Sequence, residues 1–485
     1  PTPAPPDLTT DPLHILITVH ADQIRRLRAD QDNPPRIELL AAAESAGGLA
    51  AAEMAHTGLP WRNDIHDALL TDLLGPRPFA QALPRKLAEL ALRIAAAFGL
   101  PPGSGFNPDS PAQVLKAFAY AGVPLKTTRS WEIREVDHPA AALMLEYKEL
   151  SRIHAANGWA WQDAWVSNNR FRPEYLVGGV VSGRWATHGS GALQLPRLLR
   201  RAVIADEGWS LVVADAGQLE PRVLAAMSGD QGLARAAGSG DLYAALADEV
   251  FNGDRPSAKI GLLAAMYGQT GGVAAPLLQV MRRRFPAAMA YVESAAQTGQ
   301  DGGIVRSRLG RTCPPPSRSW RETIRGATTD PDAATTEGAP GFAPDPLDDP
   351  DTHATTTSTS DSNYTTPSRS TSTDSRRSAQ ATRARGRFTR NFVIQASAAD
   401  WALVLLAVLR RRLTALTPDR PLTESPHLVF FMHDEVVVHT PKNLAEQTAE
   451  AVTQAAAEAT KLVFGNTPVR FPLHTGIVDC YADAK

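Results

Sequence analysis

Two short apolar runs stand out against a largely helical pattern, and each carries acid where a buried strand has no structural use for it. The first, Leu211, Val212, Val213 and Ala214, ends on Asp215. The second spans 428–438 and is interrupted by His433, Asp434 and Glu435. Short runs rich in β-branched and aromatic residues predict buried strands at 211–215 and 428–439. Desolvating a carboxylate is costly unless it is paired or metal-bound, so acids at both places point to chemistry. Residues 1–95 read as Ala-rich helices, with a turn at Gly58, Leu59, Pro60 and Trp61. Ser110 followed by Pro111 predicts a capped helix start, and helical spacing continues to about Trp165. A strand-like stretch follows at 171–181, bounded by Gly178 and Gly179. The 211–215 strand hands over to a helix at 218–227, helices continue over 242–296, and Gly302, Gly303, Ile304 and Val305 read as a hairpin. A further helix is expected over 387–413.

Between 314 and 386 the pattern fails. Residues 328–378 are rich in Thr, Ser, Asp and Pro with almost no aliphatics, which predicts a disordered surface insertion. One helix reads differently from the rest: Arg255, Lys259, Leu263 and Tyr267 recur every four residues and share a face. Two cations a turn apart suit a triphosphate, and the apolar and aromatic residues beyond them offer a surface on which a base could stack. With two strand-borne aspartates, this predicts a two-metal site for phosphoryl transfer. Asp215 alone would also read as a helix cap.

The 485 residues, 43% of them hydrophobic, allow a large core and several subdomains. Cys313 and Cys480 build no disulfide framework or Cys-x-x-Cys metal site, and fit a reducing cytoplasm. The longest uninterrupted apolar run, 401–409, falls short of the roughly 20 residues of a membrane helix, so no membrane segment is expected. No signal peptide is visible, and a chain starting at Pro1 is expected to be a fragment of something longer. A net charge of −2 argues against a uniformly basic nucleic-acid binder and leaves local arginine clusters at 197–201, 282–284, 306–311 and 383–390.

These elements, in this order, resemble DNA polymerase family A. The family motif Asp-Tyr-Ser-Gln-Ile-Glu-Leu-Arg is matched at Asp215, Gln218, Glu220 and Arg222. Its Arg-x3-Lys-x7-Tyr-Gly is matched at Arg255, Lys259, Tyr267 and Gly268, and its His-Asp-Glu at His433, Asp434 and Glu435. Gly183, Arg184, Leu193, Gln194, Leu195 and Pro196 match a further segment, as do Arg387, Asn391, Gln395 and the run Ala398, Ala399 and Asp400. The resemblance covers about residue 110 to the end, the insertion excepted. Segments 150–165 and 269–272 are similar to the polymerase part of actinobacterial bifunctional 3′–5′ exonuclease/DNA polymerase proteins.

The resemblance implies an α+β right-hand fold with an antiparallel-sheet palm, helical fingers and a helical thumb. It divides the chain into a connector from an upstream exonuclease-like domain (1–95), thumb (96–170), palm (171–235 and 387–485), fingers (236–313) and insertion (314–386). It implies template-directed DNA synthesis as a monomer on primer–template DNA with deoxynucleoside triphosphates, in replication or repair. The setting would be a bacterial cytoplasm at the nucleoid, away from any membrane. Asp215, Asp434 and the carbonyl of Ala216 would hold two Mg²⁺ ions, with Mn²⁺ as the substitute, and Glu435 would be an auxiliary acid. Arg255 and Lys259 would hold the triphosphate, Lys259 also protonating the pyrophosphate. Gln218, Glu220 and Tyr267 would line the nucleotide site, Glu220 as a gate against the ribose 2′-hydroxyl. Arg184, Gln194, Arg387, Asn391, Gln395 and His433 would bind DNA, with Arg184 and Gln395 reading minor-groove acceptors common to all pairs.

Several positions depart from the family pattern. Ala216 and Gly217 replace Tyr-Ser, Pro221 replaces Leu, Ala264 replaces Gly, and Leu263 stands where Phe or Tyr is usual. Losing that ring should weaken nucleotide positioning by ~1–3 kcal/mol, the range of base–aromatic stacking. A degenerate relative that binds primer–template without catalysis is therefore the alternative reading. A single-subunit RNA polymerase is disfavoured by Glu220, and a nuclease by the lack of a second acid pair.

Overall fold

The computed structural model describes residues 11–30, 33–79, 82–326 and 371–484. The N-terminal region forms α1 (Pro12–Asp30), α2 (Pro34–Thr57), the short strand β1 (Leu59–Pro60), α3 (Asn63–Leu74) and α4 (Arg85–Ala97). There follow α5 (Pro111–Tyr120), α6 (Ser130–Arg134), α7 (Pro139–Asn157) and α8 (Trp159–Trp165). The short strands β2 (Val166–Ser167), β3 (Arg170–Phe171), β4 (Tyr175–Leu176) and β5 (Ala186–Thr187) complete that stretch. Next come β6 (Trp209–Ala216), α9 (Leu219–Ser228), α10 (Gln231–Ala236), α11 (Leu242–Val250), α12 (Arg255–Tyr267), α13 (Ala274–Arg284), α14 (Pro286–Gln300) and α15 (Arg318–Gly326). The chain closes with α16 (Thr371–Leu416), β7 (His427–Met432), β8 (Glu435–Pro441), α17 (Ala445–Phe464) and β9 (Leu473–Val478).

Four strands pair antiparallel in the order β7-β8-β6-β9. Alternation along β6 separates two cores. Val212, Ala214 and Ala216 join the buried side chains of α9, α16, α17 and α2. Leu211 and Val213 face Val437, Phe430, Leu199, Trp61 and Tyr481. A third core, with Leu87, Ile94, Phe118 and Tyr147, holds α3, α4, α5 and α7 together. The start of α5 follows the expected chemistry: the Ser110 hydroxyl accepts from Gln113 N at 3.5 Å, with Pro111 in the first turn.

Several expectations are corrected. The apolar stretch 428–439 is not one strand. It is a hairpin whose two-residue tip is His433 and Asp434, with Met432 opposite Glu435 and His433 at φ +58°. The supposed turn at 58–61 is a turn only at Gly58, φ +72°, since Leu59 and Pro60 pair with Phe171 and Arg170. The 171–181 stretch holds only Phe171, the end of β3, and the short β4. Gly302 and Gly303 end α14, Gly303 N donating to Thr298 O at 2.8 Å, and the hairpin lies beyond, where Arg306 pairs with Thr312. Most of the supposed disordered insertion, 327–370, lies outside the described residues. Its described flanks are helical: α15 on one side, and on the other the first 16 residues of α16, which starts at Thr371 instead of 387. Packing explains the earlier start. Trp320 Nε1 donates to Ala381 O at 3.1 Å, and Gly299 and Gly386 let α14 and α16 approach closely around Thr389. Among the described residues one helical segment, Arg377–Leu416, is long and apolar enough to cross a membrane, but 94% of its apolar window is buried inside the fold. The single-run criterion missed it because Arg410, Arg411 and Arg412 and the polar residues before 401 break the run, not the helix.

Candidate active site

β6 and the β7–β8 hairpin set the two aspartates side by side at one end of the sheet. Asp215 is the penultimate residue of β6, and its register partner on β8 is Glu435, the residue after Asp434. Ala216 N donates to Asp434 O at 3.1 Å, tying the end of β6 to the hairpin tip. Burial pushes the Asp434 carboxyl up, and the neighbouring charge of Asp215 pushes it further, to about 7. Arg184 acts against the rise and Glu220 adds to it, so three acids and one arginine share this corner. Among the described residues no set of three His, Cys, Asp or Glu closes into a preformed metal cage. An oxygen-lined pair of carboxylates fits Mg²⁺ nonetheless, because that ion is usually held by one or two carboxylates together with waters and substrate phosphates.

Above this corner, Glu220 on the first turn of α9 accepts from both Arg184 and Tyr267. Burial, then the charge of Glu220, hold the Tyr267 phenol well above its ordinary range, and the buried Gln395 hydrogen-bonds the same phenol. Arg184 and Tyr267, and Gln395 through the Tyr267 phenol, thus gather from three other motifs around the Glu220 carboxylate. At the end of α12, Gly268 (φ +70°) lies against the side chains of Arg387 and Arg390, and Arg390 Nε donates to Ala265 O at 2.7 Å. The Asn391 amide nitrogen, turned toward the helix end, reaches Met266 O at 3.0 Å and Arg387 O at 3.3 Å.

α12 presents its stripe as the spacing predicts. Ala258, Leu262, Ala265 and Met266 are buried, whereas Arg255 is exposed and Lys259, Leu263 and Tyr267 are half-buried. Asp254 caps the helix by accepting from Ser257 N at 3.2 Å. Arg255 donates to Asp241 at 2.9 Å and lies over the Tyr243 ring at 5.5 Å. Burial raises the Asp241 carboxyl, but hydrogen bonds from Gln218, Arg255 and Ala244 N outweigh it and hold the group down at about 2.

Two residues expected at the site have other work. Gln218 donates to Asp241 at 2.7 Å and accepts from Leu242 N at 2.8 Å, so it joins β6 to α11 instead of facing a nucleotide. Glu435 is buried, and its two oxygens accept from Arg200 at 3.1 and 3.0 Å. Arg200 in turn lies 4.3 Å over the Tyr481 ring. A carboxylate committed to a guanidinium fork positions the hairpin and is not a free auxiliary acid. Gln194 is exposed on a 3-10 turn (Ala192–Gln194), and His433 is exposed at the hairpin tip.

Sequence reasoning missed Arg222 and His474. Arg222 is fully buried and donates to the carbonyls of Gly217, Ala237, Ser239, Gly240 and Arg470, locking the turn after Asp215. Its place in a motif could have signalled importance, but not this structural role. His474 on β9 is the register partner of Asp215. A side chain on Gly217 would come within 2.9 Å of its Nε2, so the glycine at 217 and the histidine at 474 fit one another. Nothing local in the sequence links these two positions.

The comparisons with known proteins agree with one another. The family model described as DNA polymerase family A matches residues 78–478. DNA polymerase I of Chloroflexus aurantiacus is 26% identical over 270 residues, covering 48% of this chain and 29% of the relative. The thermostable DNA polymerase I of Thermus aquaticus is 26% identical over 273 residues, covering 48% of this chain and 33% of the relative. The chain thus spans a third or less of the curated relatives it matches. The POL domain of Pol1 from M. smegmatis, solved in complex with DNA primer-template and dNTP, superposes with a TM-score of 0.67 at 17% identity. That match covers 91% of this chain and 70% of that one. This likeness shows the fold, an α+β right hand with an antiparallel-sheet palm.

Proposed function

Because the chain belongs to DNA polymerase family A, we propose that it is a template-directed DNA polymerase adding deoxynucleotides to a primer 3′ end. The observation that carries this reading is the Asp215–Asp434 pair, whose mutual repulsion helps raise Asp434 to about 7, a penalty that bound divalent cations remove. Asp215, Asp434 and the carbonyl of Ala216 are the groups that would hold two Mg²⁺ ions, or Mn²⁺ in their place. Bound there, the ions supply a more acidic primer 3′-hydroxyl and counter-charge for the departing pyrophosphate. The chain's own residues do the rest. Arg255 and Lys259, one helical turn apart, grip the triphosphate, and Lys259 donates a proton to the pyrophosphate. Glu220, fixed by Arg184 and Tyr267, occupies the room a 2′-hydroxyl would need. Arg184, Gln395, Arg387, Asn391 and His433 follow the primer–template. Chromosomal DNA in replication or repair is the proposed setting, with the protein acting as a monomer in the bacterial cytoplasm.

One observation favours a second reading. Leu263 leaves the turn of α12 next to Lys259 without the ring usual there, with only Tyr267 one turn further on, as a primer–template scaffold with little catalysis would tolerate. Extension of a primed DNA template with Mg²⁺, comparing deoxy- and ribonucleotides, separates the readings. Deoxynucleotide-selective extension supports the polymerase, equal use of ribonucleotides removes the gate role of Glu220, and tight binding without extension leaves the scaffold.

A further inference from the structure

His474 does nothing for the fold. Its ring is exposed, and among the described residues it makes no hydrogen bond or ion pair. Yet it is the register partner of Asp215 on the neighbouring strand β9. Directly opposed residues of an antiparallel pair project from the same face with Cβ atoms about 5 Å apart, so the two side chains rise from the sheet together. A second contact fixes where the imidazole goes. A Cβ at Gly217 would come within 2.9 Å of its Nε2 and 3.2 Å of its Cδ2, so the ring edge lies over the bare backbone of Gly217. Gly217 N donates to Pro472 O at 3.3 Å, which ties that backbone to the start of β9.

The direction of the reaction gives the imidazole a use. β8 flanks Asp215 on one side and β9 on the other. His433, which follows the primer–template, is at the hairpin tip on the β8 side. In-line displacement puts the departing oxygen opposite the attacking hydroxyl, so the pyrophosphate end of the nucleotide belongs on the β9 side. The hydrogen bonds beyond Gly217 lead the same way. Gln218 donates to Asp241 at 2.7 Å, and Asp241 accepts from Arg255 at 2.9 Å. Gly217 and the ring above it thus lie between the aspartates and the guanidinium that grips the triphosphate. An imidazole N–H with no protein acceptor is a suitable donor to an ionised phosphate oxygen, and such charge-assisted bonds are the strong ones.

We propose that His474 donates a hydrogen bond to the pyrophosphate end, the β- and γ-phosphates, of the incoming deoxynucleoside triphosphate. This rests on the polymerase reading and adds to it a contact from β9, outside the three motifs. The neutral ring suffices, since each of its tautomers carries one N–H. Gly217 is the other half of the arrangement: glycine in place of the family's serine clears the space that the ring occupies.

The test is ground-state binding, which needs no turnover. The full chain is bound to a primer–template whose primer ends in a dideoxynucleotide, and the complementary dNTP or its monophosphate is titrated in with Mg²⁺. His474→Ala should weaken the triphosphate on the order of ten-fold, the low end for a hydrogen bond to a charged group, and leave the monophosphate unchanged. Primer–template affinity and melting temperature should stay at the wild-type values. His474→Gln, whose amide nitrogen carries a donor at similar reach, should recover most of the loss. Gly217→Ala, which displaces the ring, should cost as much as His474→Ala and nothing further when the two are combined. Triphosphate affinity unchanged in His474→Ala, or an equal loss for triphosphate and monophosphate, overturns the inference and leaves the polymerase reading in place. So does a loss that disappears when Mg²⁺ is raised, which would assign the ring to the metal. A wild-type complex that binds no triphosphate overturns both.

Discussion

At the scale of single residues, the site is built on a destabilising juxtaposition. The Asp434 proton leaves at about 7 in the fold against an ordinary value of 3.8, because burial and then Asp215 oppose its charge. Between those values the folded protein holds a proton that the unfolded chain has lost, so raising the pH through the window strips it and stability falls. In metal-free protein, Asp434→Asn should therefore raise the melting temperature by about 2–4 °C at pH 8, the shift that ~1 kcal/mol produces in a larger domain. The gain should fade as the pH drops toward 4. Thermal melts in chelator across that range check this, and a variant less stable than wild type at pH 8 would count against the pairing. The acids were legible in sequence because a buried strand gives a carboxylate no cheap alternative. The fate of Glu435 was not, since its partner Arg200 lies 235 positions away.

At the scale of elements, the β7–β8 hairpin and α12 carry the functional load. Arg200 holds the hairpin by Glu435, the first residue of β8, so Arg200→Met leaves a buried uncompensated carboxylate, at a cost of about 3–5 kcal/mol. Adding Glu435→Leu should restore most of it. Urea denaturation of the single and double variants measures both, and a double variant no better than the single one would show that the fork is not the cause. On α12, Leu263→Phe should supply the missing ring and lower the KM for deoxynucleotides by roughly five-fold or more, the low end of base stacking. Steady-state kinetics check it, and an unchanged KM would place the ring outside the nucleotide's reach. α12 was legible from its four-residue spacing. The hairpin was not, because apolar residues run on both sides of the reversal and a His-Asp tip lacks the glycine that usually marks a two-residue turn. The polar pair in the middle of the run was the available signal.

At the scale of the whole molecule, the sheet is assembled from distant pieces: β6 pairs with β8 on one side and β9 on the other, with the helices α9 to α16 inserted between them in sequence. The order of motifs revealed which residues would meet, because each motif carries its own chemistry. It did not reveal that α2 packs its Leu40, Ala43, Ala50 and Met54 into the core beneath the sheet, since an Ala-rich helix has no chemical signature of its partner. Nor did it reveal the length of α16, because Ser, Thr and Arg are weak evidence against a helix when Trp320 and α14 supply the packing.

The central claim is that Asp215 and Asp434 form one metal-dependent centre for nucleotide addition. Single-nucleotide extension of a primed template, measured with and without Mg²⁺ on wild type and on Asp434→Asn, tests it most directly, with primer–template affinity measured alongside. The account predicts Mg²⁺-dependent addition by wild type, a loss of at least about a thousand-fold in the variant, the upper range for removing one electrostatic catalytic group, and unchanged DNA binding. Extension that survives the substitution, or wild type that binds primer–template yet never extends it, would contradict the claim.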